Sequence, residues 1–150
     1  CAIIYSMTNI AHVAYLAGII DGEGHIAVFR RKATFPYTNS RYSLRVEIGM
    51  CSFATINWIR KRFGGTIYKK KRTRTLDTGK LRKQSYAVSW SSRKACILLQ
   101  KVKPFLITKS HEADIAIDYQ LKCPPKTYKL SNDELNRREK AYRLLREAKL

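Results

Sequence analysis

Leu16-Ala17-Gly18-Ile19-Ile20-Asp21-Gly22-Glu23-Gly24 closes an apolar run that begins near Ile10. Ala11, Val13, Ala14, Leu16, Ala17, Ile19 and Ile20 make a helix that is apolar nearly all round, and such a helix is buried on more than one side. Ala14, Ala17, Gly18, Asp21 and Gly22 recur at spacings of three and four, so one stripe carries almost no side-chain bulk. A stripe of that kind lets a second helix approach backbone to backbone. Gly22 and Gly24 suit a helix terminus. The carbonyl end of a helix is partially negative, so Asp21 and Glu23 need a compensating cation there, for which a divalent metal ion is the candidate. Either acidic residue alone reads more simply as a solvated turn; the ordered string of nine residues carries the weight.

Outward from this string the period changes. His25 to Lys32 reads as a strand, and Thr34 to Ser40, with Pro36 and Asn39, as a loop. Then Tyr42, Leu44, Val46, Ile48 and Met50 alternate with Arg41, Ser43, Arg45, Glu47 and Gly49, the pattern of a half-buried antiparallel strand. Ser52 suits the N-cap of a helix from about Phe53 to Phe63, ended by Gly64-Gly65. A third strand runs from Thr66 through Lys69-Lys70-Lys71-Arg72-Thr73-Arg74 to a turn at Leu76-Asp77-Thr78-Gly79-Lys80. In the fourth strand Tyr86, Val88 and Trp90 face inward, with Lys83, Ser85, Ala87 and Ser89 outward.

Ser91 or Ser92 caps the next helix, which runs through Val102 and stops at Pro104. Another helix spans about Lys109 to Leu121. After the break at Cys123-Pro124-Pro125-Lys126, Ser131 or Asn132 caps a final charged helix to Leu150, with Leu135, Tyr142 and Leu145 as its apolar stripe. Four antiparallel strands with helices on one face form an α+β layer. The open face carries Arg41, Arg45, Lys69, Lys71 and Lys83, with Arg30, Arg31 and Lys32 on the first hairpin. Ribbons of this kind fit the DNA major groove, where Ser43, Glu47 and Ser85 can bond base edges. The lysines and arginines either read guanine or hold phosphate, and both roles stay open.

The chain has 150 residues, enough for one domain with a real core: about 8–122, with a helical extension over about 126–150. Thirty Lys+Arg against 11 Asp+Glu leave a net charge of +19, too large for an enzyme acting on a neutral metabolite. It implies a polyanionic partner. No apolar run approaches the roughly 20 residues that cross a bilayer. The start, Cys1-Ala2-Ile3-Ile4-Tyr5, lacks the basic region of a signal peptide and an initiator Met, so the chain reads as trimmed or processed. Cys1, Cys51, Cys96 and Cys123 show no paired zinc spacing and read as reduced thiols of an intracellular protein.

The string LAGIIDGEG resembles the signature of the LAGLIDADG homing endonucleases, and two later features are similar to the same family. These are Pro104-Phe105-Leu106 followed by Lys109, and the strand-loop-helix block from Tyr42 to Gly65. The resemblance implies the αββαββα fold, a saddle-shaped four-stranded antiparallel sheet backed by helices. It implies Glu23 as the metal-binding carboxylate, with the Gly22 backbone carbonyl beside it. Lys109 takes the place of an active-site lysine. DNA contacts fall to Arg31, Arg41, Ser43, Arg45, Glu47, Lys69, Lys71, Lys83 and Ser85.

One motif and no internal repeat imply a homodimer, packed through Ala14, Ala17, Gly18 and Asp21, that brings Glu23 of each copy to the dyad. The implied activity is Mg2+-dependent cleavage of both strands of a long pseudo-palindromic DNA site, leaving short 3′ overhangs, with Mn2+ or Ca2+ able to replace Mg2+ for binding. The implied setting is a bacterial or phage-infected cytoplasm, or an organelle. Gly49-Met50-Cys51-Ser52 lacks the Gln with which some relatives support the active-site water. That departure favours a second reading, a non-cleaving binder of the same fold: an intron RNA maturase or a DNA-binding regulator.

Overall fold

The computed structural model describes residues 2–33, 41–124 and 130–149, with side chains from Ile10 onward. Helix α1 (Ala2–Glu23) runs straight into strand β1 (Gly24–Arg31) with no linker residue. Gly24 makes that turn possible. A Cβ there would lie 2.5 Å from the Ile20 carbonyl oxygen, so no larger residue fits. β2 (Arg41–Met50) returns beside β1, and α2 (Phe53–Phe63) crosses behind the sheet. Ser52 caps α2, its hydroxyl accepting from the Thr55 amide. Then follow β3 (Thr66–Lys69), β4 (Tyr86–Ser91), α3 (Ser92–Val102), a 3-10 turn at Lys103–Phe105, α4 (Ser110–Leu121) and α5 (Asn132–Glu147).

The strands form one antiparallel sheet in the order β1-β2-β4-β3. Alternation decides which face is buried. Ile26 and Val28, Leu44, Val46 and Ile48, and Val88 and Trp90 meet Leu16, Ala17 and Ile20 of α1, Ile56 and Ile59 of α2, and Leu99 of α3 in one core. Each Leu, Ile or Val among them contributes about 1.5–3 kcal/mol when fully buried. Trp90 satisfies its indole N–H by donating to the Phe63 carbonyl at 3.0 Å.

Several expectations shift. α1 begins at Ala2 rather than near Ile10. β3 holds only four residues, and the basic run leaves the sheet at Lys70. The ribbon continues irregularly through one bridge, Arg74 to Leu81. β4 starts at Tyr86, so Lys83 and Ser85 precede it. Ser91 rather than Ser92 takes the N-cap position of α3, and Ser92 adopts a positive φ of 50°. Ser131 caps α5.

α5 is built into the body. Ala141 and Leu145 join the core, and Glu139 accepts from Arg30 at 3.1 Å and from the Tyr42 hydroxyl at 2.7 Å. The expected loop from Thr34 to Ser40, and Pro125-Lys126 of the expected break, lie outside the described residues. Cys51, Cys96 and Cys123 are free thiols. Among the described residues no helix is long and apolar enough to cross a membrane.

Candidate nucleic-acid and metal site

The end of α1 and the start of α4 are locked together. The Asp21 carboxylate accepts from the backbone amides of Ile107 at 2.8 Å and Lys109 at 3.0 Å. Burial pushes the Asp21 carboxyl up, but these amides, that of Thr108 and the Lys109 charge more than offset it, holding it below its ordinary value. In return the Lys109 ammonium donates to the carbonyls of Ile20, at 3.0 Å, and Asp21. A cation on the last carbonyls of a helix is favoured by the helix dipole. Residues 88 positions apart thus meet within one turn of Glu23.

Gly22 and Glu23 are exposed, and the Glu23 carboxylate has no hydrogen bond or ion pair among the described residues. His25 follows on β1. The Lys149 ammonium, just past α5, lies 3.4 Å from its Nε2. Burial first, then the Lys149 charge, hold His25 below its ordinary value, Glu47 opposing. Burial and the Lys109 charge hold Lys149 down, Glu112 opposing.

Strand register sorts the expected DNA contacts. Arg31 pairs with Arg41, Phe29 with Ser43, Ala27 with Arg45, and His25 with Glu47. Arg31, Arg41, Ser43, Arg45 and Glu47 therefore share the face away from the helices. Arg45 lies over the rings of Phe29 and Tyr68, each 5.6 Å from its guanidinium, and 3.7 Å from Glu47.

Lys69 is a correction. It pairs with Tyr86 in register with Ile67 and Val88, so it stands on the helix-backed side. Lys70, which sequence reasoning passed over, takes its place and reaches Glu47 at 2.8 Å. Strand parity could have found it, since Lys69 lies two residues from apolar Ile67 and Lys70 three. Lys71, Lys83 and Ser85 lie on the ribbon beyond the sheet, Lys71 and Lys83 exposed and Ser85 half-buried. Lys149 carried no signal in the sequence, because only the docking of α5 brings it near.

The small-residue stripe is corrected too. Ala17 is fully buried in the chain's own core, so it has no surface to give a partner. Ala14, Gly18, Asp21 and Gly22 keep some exposure, and a Cβ on Gly18 or Gly22 would meet nothing within 4 Å. Exposed Ile107 lies close by, its amide on Asp21.

No protein-family model matches the chain, and no curated protein does. Solved structures do. The homing endonuclease I-CvuI in complex with its target superposes with a TM-score of 0.67 at 17% identity, over 95% of this chain and 83% of that one. The archaeal intron-encoded homing endonuclease I-Vdi141I, complexed with DNA, gives 0.70 at 18%, over 91% and 83%. The I-SmaMI LAGLIDADG homing endonuclease, bound to cleaved DNA, gives 0.66 at 16%, with 92% of this chain covering 45% of that one. The strand order, the helix layer and these superpositions identify the fold of the chain as that of the LAGLIDADG homing endonucleases.

Proposed function

We propose that this chain is a site-specific double-strand DNA endonuclease of the LAGLIDADG family, acting as a Mg2+-dependent homodimer on a pseudo-palindromic site and leaving short 3′ overhangs. The observation that carries the reading is the exposed Glu23 carboxylate, without a partner among the described residues and two residues past Asp21, whose carbonyl takes the Lys109 ammonium, at the inner end of a basic sheet face. A protein that only bound DNA would gain nothing from an anion there. I-CvuI and I-Vdi141I were both captured on DNA, which supports DNA as the partner. Coverage of under half of I-SmaMI by nearly all of this chain supports two copies per active complex.

The donor set suits a hard divalent cation: a carboxylate at Glu23 and the backbone carbonyl at Gly22, both oxygen. Lys109 takes the Ile20 and Asp21 carbonyls, which leaves Gly22 as the carbonyl available for a cation. Among the described residues no group of three or more His, Cys, Asp or Glu is placed to hold a metal ion. A second copy and the DNA phosphates would complete the shell. Bound Mg2+ would supply a water acidic enough to attack and charge to steady the leaving oxygen.

Lys109, fixed on α1, would stand by the scissile phosphate and stabilise its growing charge without reorganising. Asp21 would hold Lys109 and the start of α4 in register. Arg31, Arg41, Arg45, Lys71 and Lys83 would neutralise phosphates or bond base edges along each half-site. The test is Glu23→Gln, which keeps shape and removes charge. Cleavage in Mg2+ should fall to background, while binding in Ca2+ persists or tightens. Cutting at near the parent rate would refute Glu23 as the metal ligand and the mechanism with it.

A further inference from the structure

Lys70 sits where Gly49 has no side chain. A Cβ built on Gly49 would lie 2.7 Å from the Lys70 ammonium and 3.2 Å from its Cε. The notch seats the ammonium, and Glu47 holds it there at 2.8 Å. The pair shares one face of the sheet. Glu47 pairs across with Ser89, and Gly49 and Tyr68 both pair with Ala87, opposite in parity to the core residues Ile48 and Val88. Lys70 follows two residues after Tyr68, its amide donating to the Ser85 carbonyl at 2.9 Å. This is the face turned to DNA under the proposed function, on which the present inference rests.

We infer that Glu47 and Lys70 act as one unit that reads a G·C base pair in the major groove. The charge of Lys70 is compensated by Glu47, so the pair adds little to sequence-independent phosphate attraction. It does present a donor and an acceptor fixed side by side. Lysine donates to guanine O6 and N7, and a carboxylate accepts from cytosine N4. In a G·C pair O6 and N4 are bonded to each other, about 2.9 Å apart, which matches the 2.8 Å between Lys70 and Glu47.

The ammonium keeps two more protons for the base; the carboxylate, which also accepts from the Tyr68 hydroxyl and lies 3.7 Å from Arg45, keeps a lone pair beyond these. An A·T pair offers the same adjacency but sets the thymine methyl where guanine sets its second acceptor. The position along the site follows from the register. Glu47 stands opposite His25, two residues from Glu23, while Arg41 lies six residues further along β2. That is about 20 Å, or about six base pairs. The G·C pair therefore lies at the inner end of each half-site.

The experiment is binding-site selection from a randomised duplex DNA library in Ca2+, with the full chain and three variants. Lys70→Met removes the donor and Glu47→Ala the acceptor. Gly49→Ala fills the notch, displacing only the end of a flexible side chain and changing no charge. The parent should select one G·C pair at the inner end of each half-site. All three variants should relax that position by about ten- to a hundredfold and leave the other positions alone. A purely structural role would weaken binding evenly instead. A parent that selects no sequence overturns the pair together with the endonuclease reading. A parent that selects a site whose inner position is A·T, is untouched by the variants, or relaxes at different positions in each, overturns the pair alone.

Discussion

Asp21→Asn tests the joint between α1 and α4. The carboxylate receives two backbone amides, one on each oxygen, at 2.8 and 3.0 Å. A hydrogen bond to a charged group contributes about 1.5–3 kcal/mol. Asparagine keeps one acceptor, turns an N–H against the other amide and removes the charge. The expected loss is about 2 kcal/mol, since exposed Ile107 recovers part of its bond from water. In a chain of this size that lowers Tm by about 4–8 °C.

The pH dependence follows from the depressed carboxyl. A group whose folded pKa lies below its ordinary 3.8 stabilises the fold above that value and loses its contribution as pH falls through the folded value. The gap between parent and Asp21→Asn should therefore be full at pH 7 and shrink below about pH 4. Urea unfolding at fixed protein concentration measures it, with the concentration held because dimerisation shifts apparent stability. A difference under about 0.5 kcal/mol at pH 7, or one unchanged at pH 3, refutes the reasoning.

Two further outcomes follow. Gly18→Leu adds bulk where the single chain has open space, and leucine is the better helix former by about 0.8 kcal/mol. The fold should hold while association is lost in sedimentation; a variant that still dimerises moves the interface off α1. Leu145→Ala empties a site that is 1% exposed between α5 and the core, at a cost of about 2–5 kcal/mol. Amide exchange should rise across α5 first, and a loss below about 1 kcal/mol would mean that α5 is not held by this contact.

By itself the sequence carried the α+β class, four strands with the faces of β2 and β4, and the helix ending at Glu23. Those features depend on local periods: alternation in Arg41–Met50, near-continuous apolarity in the α1 segment, and caps at Ser52 and Ser131. Periodicity says which residues share a face, but not where a strand stops. In β3 core-facing Ile67 sets the parity, so Lys69, two residues on, turns to the helix side and Lys70 takes the open face. Nor does a small-residue stripe say which edge meets the chain's own core, and so Ala17 was buried while Gly18 stayed open.

The pairing of Asp21 with Lys109, the seat of Lys70 over Gly49 and the approach of Lys149 to His25 are contacts between distant segments. Only tertiary packing decided them. Each depends on how the helices dock on the sheet or on the sheet's register, a property of summed burial that no local window of sequence encodes.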